Sequence, residues 1–147
     1  MIREIIFRGK RINNGEWVRG NLFVSETDGR TYILAGSRRF TIEWEIEPST
    51  VGQFTGLTDK NGKRIYEGDI VKADNGKQSS ISVVKFGEYY PEMFYKMLDM
   101  FCHGKRHLLA FGFYAESIGK HEDMILFQSP CVEIIGNIHD NPELLEK

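Results

Sequence analysis

Apolar and polar positions alternate along much of this chain with a period of two, the spacing of residues that share one face of a β-strand. The pattern is clearest where Phe40, Ile42, Trp44 and Ile46 alternate with Thr41, Glu43, Glu45 and Glu47. It predicts a half-buried strand with one apolar and one acidic face, stopped by Pro48. Trp17 to Val24 also alternates, with Val18, Leu22 and Val24 on one face. Ile5–Phe7 begins an earlier strand, and Asn13, Asn14 and Gly15 form the tip of the turn that follows it. Asp28 and Gly29 are a second hairpin signal, leading into Thr31–Leu34. Further on, Asp59-Lys60-Asn61-Gly62 reads as a tight turn, because Asn and Gly tolerate left-handed backbone. Short strands are expected at Ile65-Tyr66, Ile70-Val71, Ile81–Phe86, Leu108–Ile118, Met124–Phe127 and Val132–Ile138.

The period changes once. After Pro91, residues Met93, Phe94, Met97, Leu98 and Phe101 fall at i, i+1, i+4, i+5 and i+8, which is one face of a helix ended at Gly104. A Met-rich face of this kind fills an irregular core or grips a partner. Asn141 before Pro142 reads as the N-cap of a short terminal helix ending at Leu144 and Leu145. The expected fold is therefore mainly β, with one inserted amphipathic helix and a short C-terminal helix. We expect one compact unit over 1–147, made of N-terminal strands (1–50), a barrel region (51–138) with a variable insert (88–128), and the C-terminal helix (139–147).

Composition changes this picture little. The 147 residues are 41% hydrophobic and 27% charged, with ten Phe, six Tyr and two Trp to build a core. No run of apolar residues is long enough for a membrane-spanning helix. The opening MIREIIFRGKR has charges within its apolar stretch, unlike a signal peptide. A cytoplasmic protein with no membrane partner is expected. Cys102 and Cys131 are too few for a disulfide framework or a four-thiolate metal site.

Charge is uneven. Residues 1–40 carry eight Lys or Arg against four acids, a local net of +4, whereas the remainder nets −6. Of the basic residues, Arg8, Lys10, Arg11, Arg19, Arg38 and Arg39 are interleaved with Phe7, Trp17 and Phe23. Cations beside aromatics on a β surface hold single-stranded nucleic acid by phosphate contact and base stacking. The alternative is that strand alternation turns these aromatics inward and the cations outward.

No GxSxG, Walker, HExxH or post-strand GxGxxG motif is present, so no enzyme is expected, and no cofactor. His103 and His107 are spaced four apart beside Cys102, but Gly104 interrupts any helix that would align them, and His121 and His139 lie at no diagnostic spacing. Glu67 and Asp69 could divide acid and base roles if one were desolvated, yet they flank a glycine in an expected exposed turn.

Specific words then carry a resemblance. Val51-Gly52-Gln53-Phe54-Thr55-Gly56-Leu57, Asp59-Lys60-Asn61-Gly62-Lys63 and Ile65-Tyr66-Glu67-Gly68-Asp69-Ile70-Val71 closely resemble the YopX family of phages and prophages. The opening Phe7-Arg8-Gly9-Lys10 with Gly15, Trp17, Val18 and Gly20 is similar too. So is the ending Val132 to Ile138 with Asn141 to Leu145. The resemblance implies a small, mostly β protein with an SH3-like, partly open barrel, encoded by a phage or prophage, and it supplies no established activity or catalytic residues to carry over. Non-enzymatic binding through protein contact is the expected role. Met93, Phe94, Met97, Leu98 and Phe101 are the candidate partner face, with an unknown protein or a second copy as partner. Nucleic-acid binding through the six cations is the alternative.

Overall fold

The computed structural model describes residues 4–37, 39–74, 79–89, 110–118, 123–125 and 132–146. Within these, strands dominate and form two antiparallel sheets, ordered β4-β3-β2-β1-β5-β6 and β10-β9-β8-β7-β11. The chain divides into two compact units, Met1–Gly56 and Leu57–Lys147.

In the N-terminal unit, β1 (Phe7–Lys10) and β2 (Trp17–Val24) form the first hairpin. β3 (Thr31–Ser37) and β4 (Phe40–Glu45) form the second. β2 changes partner midway. Trp17–Gly20 pair with β1, and Asn21–Val24 pair with β3. The end of β4 then returns to β1. Ile46 bridges Arg11, the Ile12 amide donates to the Glu45 carbonyl at 3.1 Å, and the Glu47 amide donates to the Lys10 carbonyl at 2.8 Å. Ile33 and Ile46 are fully buried within this curl. Thr50 fastens the following 3-10 turn (Pro48–Thr50): its hydroxyl donates to the Glu47 carbonyl at 2.6 Å and accepts the Lys10 amide at 2.8 Å. β5 (Gly52–Thr58) begins here, with Gly52 and Gln53 opposite Arg8 and Phe7.

One expectation fails in this unit. The apolar face of β4 is not half-buried along its length, because Phe40 is 78% and Ile42 53% exposed. The cause lies in β2. Its pairing with β3 stops at Asn21↔Leu34, whereas β3–β4 pairing continues to Ser37↔Phe40. Ala35–Ser37 and Phe40–Ile42 consequently project as a two-stranded ribbon, while Trp44 and Ile46, beside the curl, are half-buried and buried.

In the C-terminal unit, β6 (Arg64–Tyr66), β7 (Asp69–Asp74), β8 (Ser79–Tyr89), β9 (Ala110–Ser117), β10 (Asp123–Ile125) and β11 (Val132–Asn137) follow in order. Ile65, Val71, Val84, Ala115 and Val132 form its buried cluster, with Leu57, Ala73, Phe113 and Ile134 packed around it. Asp59 ties the first turn of this unit to its last strand. Its carboxylate, 5% exposed, accepts the amides of Asn61 and Lys63, each at 2.9 Å, and that of Ile134 at 3.1 Å. The Lys60 amide adds a bond to the Val132 carbonyl at 2.9 Å, and the Lys60 ammonium pairs with Glu133. Gly62 stands at φ +78°, as the expected turn requires.

The terminal helix is a single 3-10 turn, Pro142–Leu145. Asn141 precedes it without capping it, since its Oδ1 instead accepts the Asn137 amide at 3.3 Å. Among the described residues no helix is long and apolar enough to cross a membrane. The expected helix carrying Met93, Phe94, Met97, Leu98 and Phe101 lies outside the described residues.

Candidate functional site

Strand alternation and register decide which side chains meet. On β2, Trp17, Arg19, Asn21 and Phe23 share one face, and Val18, Gly20 and Leu22 share the other. Lys10 lies opposite Trp17, and Arg8 opposite Arg19. Residues directly opposite in an antiparallel pair share a face, so Arg8, Lys10, Trp17, Arg19 and Phe23 all project from one side of the sheet. The half-buried Trp17 ring is the centre of the cluster. The Arg8 guanidinium carbon stands 4.7 Å from its centroid and the Lys10 ammonium 5.6 Å. Contacts of this kind stabilise by about 0.5–2 kcal/mol according to their desolvation, enough to hold the two cations in place.

The aromatic surface continues past the cations. Phe23 is 48% exposed, with its centroid 6.3 Å from that of Tyr32, directly opposite on β3. Beyond Tyr32 the charge reverses. Glu45 lies opposite Tyr32 and pairs with Arg30 at 3.2 Å, and the Tyr32 hydroxyl donates to Asp28 at 3.4 Å. The face therefore runs from cations and indole on β1 and β2 to carboxylates on β4. A polyanion would be drawn to the first end and repelled at the second.

Three of the six predicted cations converge here. Arg11 does not, because it turns to Glu16 and pairs with it at 3.2 Å. Arg39 stands in the β3–β4 turn, where its amide donates to the Ser37 hydroxyl at 3.4 Å. Arg38 lies outside the described residues. The inward-aromatic alternative is overturned for Trp17 and Phe23, which share the face of the cations. It holds for Phe7, which pairs with Gly20 on the opposite face.

The carboxylate pair is also corrected. Asp69 is not in an exposed turn; it is 2% exposed, and its Oδ2 accepts the Tyr66 amide at 2.8 Å. Glu67 is half-buried beside it. A carboxylate committed to fixing the β6–β7 turn is an anchor for the backbone. Of the histidine candidates, His103, His107 and His121 lie outside the described residues, as do Cys102 and Cys131. His139 sits in the turn after β11, where its amide donates to the Asn137 side chain at 3.0 Å. Among the described residues no three His, Cys, Asp or Glu side chains are grouped to hold a metal.

Sequence reasoning missed the openness of Phe40 and Ile42. The signal for it was the run Gly36, Ser37, Arg38, Arg39 at the end of β3 and before β4, which marks a hairpin tip rather than a core connection.

Among solved structures, the chain is similar to one described as the crystal structure of protein EF1440 from Enterococcus faecalis. The identity is 21%, the match covers 97% of this chain and 99% of that one, and the TM-score is 0.49. No curated protein matches the chain. The family model described as YopX protein matches residues 6–146, which is nearly the whole length. The chain belongs to the YopX family.

Proposed function

We propose that this protein is a non-enzymatic, cytoplasmic binding module of phage or prophage origin, with the SH3-like, partly open barrel expected over 51–138, whose N-terminal unit holds single-stranded nucleic acid. The observation that supports this reading is the gathering of Arg8, Lys10 and Arg19 around Trp17, on the face where Phe23 is exposed. Cations beside open rings match a flexible strand, whose phosphates and unstacked bases can be contacted together. A second reading, contact with protein, is favoured by the ribbon that carries Phe40 and Ile42.

Fluorescence anisotropy with labelled single-stranded DNA and RNA across a salt series tests the first reading. Binding that weakens with salt is expected. The triple variant Arg8→Gln, Lys10→Gln, Arg19→Gln should lower the log–log salt slope by about 2, at roughly 0.7 per phosphate contact on single strands. Absence of binding at low salt, or an unchanged slope in the triple variant, would overturn it.

A further inference from the structure

The outer edge of β4 is open and matches itself. The Ile46 amide bonds the Thr31 carbonyl at 2.9 Å, which places Ile46, Trp44, Ile42 and Phe40 as the residues whose backbone groups face β3. Thr41, Glu43 and Glu45 therefore direct their amides and carbonyls away from β3. Ile12 takes up the Glu45 carbonyl, and among the described residues the ladder stops there. What stays open is the edge at Thr41 and Glu43, on a projecting ribbon whose apolar side chains are exposed. A short edge of this kind is a template for another strand.

We propose that this edge pairs with the same edge of a second copy of the chain, antiparallel and centred on Ile42. In that register Thr41 faces Glu43 of the other copy, and the two exchange main-chain hydrogen bonds. Phe40 meets Trp44 and Ile42 meets Ile42 on the apolar face, so the exposed Phe40 and Ile42 of both copies, four side chains in all, are covered. Glu45, whose outer edge Ile12 already covers, lies beyond the paired stretch. The match is self-complementary in apolarity, and each Glu43 faces a threonine rather than another carboxylate. Centring on Glu43 instead would set that carboxylate against its own copy. Centring on Thr41 would leave Trp44 beyond the ladder. The two-fold interface is isologous and joins the β3–β4 ribbons into one four-stranded sheet. Its small size makes it a weak, concentration-dependent dimer. The inference gives the protein-contact reading its partner, and it does not depend on nucleic-acid binding.

Sedimentation of the full chain from micromolar to millimolar concentration tests it. The apparent mass should rise toward that of two chains. Thr41→Pro, which removes an outward amide, and Ile42→Asp should each hold the protein monomeric with an unchanged circular dichroism spectrum. Thr41→Lys should tighten the dimer by facing Glu43, whereas in the register centred on Thr41 it would weaken it. The nucleic-acid triple variant should dimerise as the native chain does. A monomer throughout the range, or a dimer that survives both Thr41→Pro and Ile42→Asp, would overturn the inference. Failure of the native chain to bind nucleic acid would overturn the first reading alone and leave the dimer standing.

Discussion

Replacing Asp59 by Ala is expected to destabilise the C-terminal unit by at least about 3 kcal/mol, because three amides lose their acceptor at a site closed to water. Two of these, Asn61 and Lys63, belong to the turn that Asp59 begins, and the third, Ile134, belongs to β11. The variant should therefore loosen both the β5–β6 turn and its attachment to the last strand. Urea unfolding followed by circular dichroism gives the loss, and hydrogen exchange should show protection falling first at those three amides. A loss below about 1 kcal/mol would mean that water or a shifted backbone satisfies them.

The same carboxylate should shape the acid limb of the stability curve. Burial works against its charge, but the amides of Ile134, Lys63 and Asn61, helped by the Lys63 ammonium, outweigh that and hold its pKa below the usual value. The folded value thus lies under the unfolded one of about 3.9. The resulting stabilisation is complete above the unfolded value and disappears as pH falls through the folded one. In Asp59→Asn the acid limb should be shallower over this window. One amide donor would then face a backbone donor, so the variant should also be less stable near neutrality.

The second large effect is expected at Gly20. An Ala Cβ there would stand 2.2 Å from the Leu34 carbonyl oxygen and 2.9 Å from its carbon, distances that only a backbone shift can relieve. Overpacking against backbone costs about 1–3 kcal/mol, and we expect the upper end of that range. Gly20 is also where β2 leaves β1 for β3, so the shift should move Arg19 and Phe23 on either side of it and weaken nucleic-acid binding. Gly112→Ala is the matched control, since its Cβ would meet nothing within 4 Å. Thermal unfolding should separate the two variants clearly. Equal melting temperatures would contradict the close approach of β2 to β3.

Much of the fold is legible in the sequence because strand alternation is a local signal. β2 occupies Trp17–Val24, the limits its alternation gives, and the Asp59–Gly62 turn follows from its residue types. What covers a face is not local. The alternation of β4 assigns Phe40 and Ile42 to an apolar face, yet their exposure depends on β2 changing partner at Gly20, and that follows from a backbone contact with Leu34. The same holds for Asp59, whose third donor is 75 residues away. It holds again for Asp69, which looks like an exposed turn acid but is buried beneath the turn whose amide it accepts. The candidate site was half-legible. Cations and aromatics could be read along the chain, but only the register Lys10↔Trp17 and Arg8↔Arg19 separates the three that converge from Arg11, which serves Glu16 instead.

The most direct measurement of the central claim is photochemical cross-linking of the full chain to a bromouracil-substituted single-stranded oligonucleotide, read by mass spectrometry. A base stacked on the open end of this face should attach to the peptides that contain Trp17 or Phe23, and the adducts should vanish in the Arg8, Lys10, Arg19 triple variant. Adducts confined to the C-terminal unit, or none at a salt concentration where anisotropy reports binding, would contradict the assignment of nucleic acid to the Trp17 face.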